Sequence, residues 1–292
     1  DREPAHQVAL AVDIGGGHVR AGFVNRHGRV EKSAIGKLPA RGNPDELAAL
    51  LQALRAELGN PDLPQAHHAG IAVPGIWDRT TGIMKKAVNL PALEGVNIRK
   101  LFADALESPV YIDNDVNAAT WAQWHARDDR PARFVYLSIG TGIGGGVILD
   151  GQLVRHTNGG PGHLGFLIVD PNPPDTDNND QGVPGSLSAC AAGAILKSHI
   201  SPDGAGVEDT ALDRAAEALA IGILQIVHLY QPDELTLGGG VMDHNPRLVD
   251  LTSAAFSLRR SMLTPAAFQI CGAALTTDSA GLIGIGMLAF HQ

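Results

Sequence analysis

One short pattern occurs twice in this chain, and it limits the fold more than any other feature. Residues 8–14 form an apolar strand pattern that carries Asp13 and runs into Gly15, Gly16 and Gly17, after which residues 19–24 resume as a strand. In the second half, residues 134–139 read as a strand and residues 140–146 are rich in glycine. Residues 145–149 then lead through Asp150 and Gly151 to another short strand. Two hairpins with glycine tips imply internal duplication. The length of 292 residues agrees, because it exceeds what one ordinary core holds and favours two lobes of about 120–170 residues. Residues 1–126 are the expected N-terminal lobe, with the C-terminal helix packing back onto it, and residues 127–292 the expected C-terminal lobe. Two lobes imply a cleft between them.

Around the hairpins the pattern is mixed α/β. A third strand is expected at 30–35, a helix at 44–58, a strand at 69–73, a helix near 97–106, a strand at 110–112 entered by Pro109, and a helix from about Asn114. Residues 170–184 are turn-rich and read as a loop. Beyond them come helices at 187–199 and 210–230, a strand at 234–237, helices near 246–257 and 279–290, and a strand around 268–271. With 44% hydrophobic and 18% charged residues the chain belongs with globular proteins. A net charge of −9 without a basic block excludes a nucleic-acid binder's electrostatic footprint. The apolar runs are too short to span a bilayer and no basic-then-apolar leader is seen, so the cytoplasm is the expected compartment. Cys190 and Cys271 are far apart in apolar or small-residue company and read as free thiols.

Three glycine runs can meet phosphate chemistry. Asp13 with Gly15, Gly16 and Gly17 behind it lets main-chain amides approach a phosphate while the carboxylate holds Mg²⁺ through water. Gly140, Thr141 and Gly142 can do the same at the far end of a polyphosphate, the Thr141 hydroxyl adding a donor. Gly238, Gly239 and Gly240 follow an apolar strand and would let a nucleotide base or ribose lie against the backbone. Asp113, Asn114 and Asp115 stand between a strand and a helix, where Asp115 can take the proton of an attacking hydroxyl. Phosphoryl transfer needs little push from its nucleophile, so orientation and late proton capture suffice. The competing reading of Asn114 or Asp115 is a helix cap. His67 and His68 point to opposite strand faces and make no shared metal site; His156 reads as a surface residue, and Trp121 and Trp124 as packing residues.

The order of these segments resembles the ROK family, the sugar kinases, sugar-responsive repressors and uncharacterised reading frames within the actin-like superfamily. The resemblance is carried by residues 12–16 (Val-Asp-Ile-Gly-Gly), 70–75 (Gly-Ile-Ala-Val-Pro-Gly), 87–91 (Ala-Val-Asn-Leu-Pro) and 114–119 (Asn-Asp-Val-Asn-Ala-Ala), then by 140–146, 237–241 and 280–284, over nearly the whole chain. It implies a duplicated two-lobed actin-like (ribonuclease H-like) α/β fold with an interdomain cleft. It also implies Asp115 as the base, Asn114 and Asn89 on sugar hydroxyls, Gly75 close to the sugar, and ATP with Mg²⁺ on the glycine loops. The N-terminal lobe would take acceptor and phosphates, and the C-terminal lobe nucleotide and a homodimer contact. The implied reaction moves the γ-phosphoryl group to a primary hydroxyl of a hexose or N-acetylated hexosamine.

Departures from the family pattern cluster on one side of the implied sugar site. Residues 162–166 (Gly-His-Leu-Gly-Phe) stand where the family has Gly-Glu-x-Gly-His, so His163 replaces a sugar-binding glutamate and Phe166 a zinc-ligating histidine. Residues 185–188 (Gly-Ser-Leu-Ser) replace Gly-Cys-Leu-Glu, with Ser188 in place of the second glutamate, and Asn179 and Gln181 take the other two cysteine positions. Zinc needs thiolates and imidazole at tetrahedral spacing, so no zinc is expected. Loss of the acceptors on the C1 and C2 side disfavours glucose and favours an amino sugar, a deoxy sugar, or a carbasugar or C7-cyclitol. Gly17 stands where threonine is usual. The alternatives are an ordinary glucokinase, an inactive sugar sensor, or a repressor. A repressor's helix-turn-helix would precede the first hairpin, which here begins within the first fifteen residues.

Overall fold

The computed structural model describes residues 7–59, 68–156, 163–173, 183–200 and 207–291. The chain divides into two compact units. The first takes residues 1–125, 155–161 and 278–292, and the second residues 126–154 and 162–277.

In the first unit, β1 (Val8–Ile14), β2 (His18–Asn25) and β3 (Val30–Lys37) form an antiparallel meander around the first glycine tip. Helix α1 (Pro44–Leu58) opens where sequence chemistry places it. Asn43 accepts the amides of Asp45 and Glu46 at 3.1 Å each, Pro44 takes the first turn, and Leu47, Leu51, Leu54 and Leu58 form one buried stripe. Then follow β4 (Ala69–Val73), a small hairpin of β5 (Ile76–Trp77) and β6 (Met84–Lys86), α2 (Ile98–Leu106), β7 (Val110–Asn114) and α3 (Asp115–His125). The five-stranded sheet has the order β3-β2-β1-β4-β7, with β1, β4 and β7 parallel. Strand alternation sends Val8, Leu10, Val12 and Ile14 to a core shared with α1 and α2, while Ala11 joins Val24, Ala72 and Ala118 on the opposite face.

The second unit repeats this plan with β8 (Arg133–Ile139), β9 (Ile143–Leu149) and β10 (Gln152–Leu153), followed by α4 (Leu187–Ala191), α5 (Gly193–Leu196), α6 (Asp209–Tyr230), β11 (Glu234–Gly238), α7 (Gly240–His244), α8 (Arg247–Ser257) and β12 (Gln269–Gly272). Its sheet order is β10-β9-β8-β11-β12, again a meander with two further parallel strands. The same order and directions in both units are the duplication that the two hairpins announced. The core gathers Val135, Leu137 and Ile139 with Leu219, Ile223 and Ile226 of α6.

The last helix, α9 (Thr277–Leu288), packs in the first unit, where Leu282 and Ile285 join Ala11, Val24, Ala72 and Ala118. Its glycines allow that approach: a Cβ on Gly284 would fall 1.7 Å from the Ala118 carbonyl oxygen.

Three local expectations change. The helix expected at 187–199 breaks at Ala192 (ψ 159°), because the Gly193 amide donates to the Gly140 carbonyl at 2.8 Å instead of continuing the helix. The β5–β6 hairpin and α7 are elements the sequence pattern did not suggest, each being two to five residues long. Strand β7 runs two residues further than expected and takes in Asp113 and Asn114. Trp121 and Trp124 pack together with ring centroids 5.3 Å apart, His156 is exposed, and both cysteines are half-buried and outside any disulfide. His68 stacks near Phe290, while His67, Asn179 and Gln181 lie outside the described residues. Among the described residues no helix is long and apolar enough to cross a membrane.

Candidate active site

Parallel α/β sheets bind ligands beyond the carboxyl ends of their strands, where side chains and helix N-termini converge. In the first unit that edge carries Asp13 on β1, Gly75 after β4, and Asn114 with Asp115 at the end of β7. The register puts Asp13 beside Ala72 and Ala72 beside Asp113, so the polar residues of β1 and β7 sit at one level.

Asp13 is only 7% exposed. It lies opposite Arg20 in the β1–β2 ladder, and Arg20 in turn pairs with Asp278 in the first turn of α9. Burial, and next the charge of Asp115, push its pKa up to about 7; Arg20 opposes the rise and Asp278 adds to it. Gly281 of α9 lies directly against the carboxylate, since a Cβ there would come within 2.6 Å of an Asp13 oxygen. The adjoining tip is closed by the Gly15 amide on the His18 carbonyl at 2.9 Å. A Cβ on Gly16 would lie 3.6 Å from Asn89 Nδ2, which places the Asn89 side chain at this tip, whereas one on Gly17 would meet nothing within 4 Å.

Asp115 opens α3. Its carboxylate and the Asn114 amide oxygen both accept the Val116 N–H at 2.9 Å; the spacing of two residues gives Asn114 the capping bond, whereas Asp115 reaches no further than the amide of the next residue. Burial raises the Asp115 pKa to about 6 against the lowering effect of the Val116 N–H and of its own. That leaves the group charged at neutral pH yet closer to it than an ordinary carboxylate, as suits a proton acceptor. Asn114 Nδ2 donates to the Gly75 carbonyl at 3.4 Å. Gly75 has φ 113°, and a Cβ there would strike the Lys86 carbonyl oxygen at 2.6 Å, so only glycine fits. The Asn89 loop is braced by Glu94, which accepts the Ala87 amide at 3.1 Å and the Lys86 ammonium at 3.2 Å. Asp13, Gly75, Asn89, Asn114 and Asp115 thus belong to one unit. Sequence reading named Asp113 beside Asn114 and Asp115 but missed what holds it: it is buried and held by Tyr111, Asn117, Arg155 and Arg79.

In the second unit the tip Gly140, Thr141 and Gly142 is closed by the Gly140 amide on the Gly142 carbonyl at 2.9 Å, and Thr141 is exposed. Ser188 is turned inward: its Oγ accepts the Ile143 amide at 3.0 Å and donates to the Ile143 carbonyl at 3.4 Å. His163 and Phe166 are exposed and meet edge to face at 6.0 Å. Ser186 Oγ caps α4 by accepting the Ala189 amide at 3.2 Å. Gly238 and Gly239 are required by packing, because Cβ atoms there would meet the Tyr136 hydroxyl at 2.7 Å and the Ile139 main chain at 2.5 Å. Gly240 alone among the three faces open space, at the first position of α7.

The donor sets can be weighed against the two metals. Asp13 offers a buried carboxylate, oxygen-donor chemistry of the kind Mg²⁺ takes, and Arg20 opposite it offsets its charge only in part, so this residue fits Mg²⁺. Phe166 has no donor atom and Ser186 Oγ is already bonded, so this pair does not fit zinc.

Comparison with known proteins agrees with this architecture. The model of the ROK family matches residues 9–292. The N-acetylmannosamine kinase of Salmonella newport is 29% identical over 294 residues, covering 96% of this chain and 97% of its own. The ROK hexokinase of Thermus thermophilus superposes with a TM-score of 0.78 at 27% identity, covering 98% of both chains. A ROK family glucokinase from Streptomyces griseus, solved with glucose and AMPPNP, gives 0.79 at 22% identity over 98% of this chain and all of the other, a likeness of fold. With the family match running almost from end to end, the chain belongs to the ROK family.

Proposed function

We propose that this ROK family sugar kinase transfers the γ-phosphoryl group of ATP to a primary hydroxyl of a hexose-like ring other than plain glucose. The observation that carries the reading is the convergence of Asp13, Gly75, Asn89, Asn114 and Asp115 at the carboxyl edge of one sheet, with Asp115 at a helix N-terminus. Asp115 orients the attacking hydroxyl and takes its proton as the P–O bond forms. Asn114 and Asn89 hold ring hydroxyls, and Gly75 leaves room for the ring. Asp13 would hold Mg²⁺ through water, supplying charge neutralisation of the phosphates. Main-chain amides at Gly15, Gly16, Gly17, Gly140 and Gly142, with the Thr141 hydroxyl, contact the phosphates, and Gly238, Gly239 and Gly240 the nucleoside. Acceptor binding is assigned to residues 1–126 and nucleotide binding to residues 127–292, in a homodimer without zinc.

The choice of acceptor rests on His163, Phe166 and Ser188. The inward hydrogen bonds of Ser188 engage its hydroxyl within the protein, and neither an exposed imidazole nor a phenyl ring replaces carboxylate acceptors. One observation favours an inactive sugar sensor: the open space at Gly17, where a hydroxyl is missing beside the phosphates. A screen of glucose, N-acetylmannosamine, other amino sugars and cyclitols with ATP and Mg²⁺, with ³¹P NMR locating the ester, tests the proposal. An amino sugar or cyclitol turned over faster than glucose is expected. Glucose as the best acceptor would establish the ordinary glucokinase, and binding without turnover the sensor.

A further inference from the structure

Among the described residues of the first unit, the best-held carboxylate is not one of the two assigned to chemistry. Asp113 has 0% side-chain exposure and collects the Tyr111 hydroxyl at 2.7 Å, Arg155 Nε at 2.7 Å, Asn117 Nδ2 at 2.8 Å and the Asn114 amide at 2.9 Å. Arg79 stands 3.7 Å away and lies over the Trp77 ring. A buried charge persists only when its lone pairs are filled in this way. The partners come from four places: β7, the first turn of α3, the loop after β5, and Arg155 just beyond β10.

Asp113 precedes the two residues assigned to the acceptor, and it accepts the N–H of the first of them. The Asn114 N–H donates to Asp113 Oδ1, and the side chain of Asn117, one turn into α3, donates to the same oxygen. The strand-to-helix junction therefore closes around this carboxylate. Its charge is answered by Arg155 and Arg79, while the proton affinity of Asp115 is raised by burial and lowered by main-chain N–H groups. The arrangement bears on where Asp115 stands, and leaves when it ionises to its own surroundings.

Resting on the kinase reading, we propose that Asp113, clamped by Arg155, is a positioning residue for phosphoryl transfer that sets the peptide carrying Asn114 and Asp115. A displacement of about 1 Å in such a group can cost about 100-fold in rate. The test uses the full chain with ATP, Mg²⁺ and either N-acetylmannosamine or glucose, comparing native protein with Asp113→Asn, Arg155→Met and Arg155→Lys. Amide exchange is followed in the same samples. The expected result is a kcat loss of about 100-fold for Asp113→Asn and Arg155→Met, with partial recovery in Arg155→Lys. The KM for ATP and the acid limb of the pH profile stay at their native values, and amides 114–117 exchange about tenfold faster while α1 is unchanged. Should Asp113→Asn not fold, Tyr111→Phe, which removes one donor and leaves the carboxylate, is read in its place. A kcat near native in a folded variant overturns the proposal, as does exchange that quickens uniformly along the chain. If the native protein phosphorylates neither of these sugars nor any other amino sugar or cyclitol of the acceptor screen, the kinase reading falls. The exchange pattern then decides the positioning claim by itself: local loosening upholds it and uniform loosening sinks it.

Discussion

Two carboxylates with raised pKa values give the residue scale its clearest consequences. Asp115 must be ionised to accept a proton, and its pKa is about 6, so kcat/KM is expected to fall about tenfold per pH unit below that value and to level off above about pH 7. A flat profile from pH 5 to 8 with a chemistry-limited substrate would contradict this. Asp13 carries a structural cost. Its folded pKa, about 7, lies above the unfolded value near 3.8, so the stability linked to it is fully present below about pH 4 and is lost as pH rises through 7. Asp13→Asn is therefore expected to raise the melting temperature at pH 8, without metal or nucleotide, by several degrees, at about 2–4 °C per kcal/mol. The gain should shrink at pH 5, and activity should be lost. Thermal melts at the two pH values check the sign; a lower melting temperature at pH 8 would show the charge to be compensated. Gly17 supplies a third test. Its Cβ position is open, so Gly17→Thr fits sterically and restores a hydroxyl beside the phosphates. One added hydrogen bond of about 1 kcal/mol predicts about a fivefold gain in kcat/KM for ATP.

Elements differ in how openly the sequence announces them. Helix α1 matches its expected bounds because all of its determinants are local: Asn43 as cap, Pro44, and a leucine every third or fourth residue. The glycine hairpins were legible for the same reason, as apolar runs interrupted by residues that need no side-chain room. The break at Ala192 was not, because its cause is a bond from Gly193 to Gly140, 53 positions earlier, and only tertiary structure brings those two together. Asp13, Asn114 and Asp115 could be picked out by type and position, but the clamp on Asp113 draws in Arg155 from far along the chain, and no spacing rule links them. Gly238 and Gly239 show a second demand on one residue type: glycines that read as room for a ligand also make room for Tyr136 and Ile139. Helix α9 makes a prediction at this scale. Gly281→Ala puts a methyl group against the Asp13 carboxylate, so overpacking of about 1–3 kcal/mol is expected together with a raised KM for ATP. An alanine variant with native kinetics would show that this helix merely supports the sheet. On the β8–β9 hairpin, Ser188→Ala leaves the buried Ile143 amide without its acceptor and should cost about 1–3 kcal/mol in denaturant unfolding.

At the scale of the whole molecule, duplication explains why the candidate site residues lie at the ends of strands. Each unit runs a meander into two parallel strands, and parallel strands present all their carboxyl ends on one edge. Each unit has a glycine tip there, and the first unit adds Asp13, Asn114 and Asp115. Where the family resemblance implies a zinc site, this chain has Phe166 and a Ser186 occupied as a helix cap, so elemental analysis of purified protein is expected to find well under one zinc per chain. Stoichiometric zinc would refute that reading without touching the kinase assignment. The central claim is narrower, that Asp115 takes the proton of the incoming hydroxyl. It is tested most directly by acceptor-dependent ADP release at pH 8 from native protein and from Asp115→Asn, on the best acceptor found. The account predicts a loss of about 10²–10⁴-fold in kcat with binding of ATP retained; equal rates in the two proteins would contradict it.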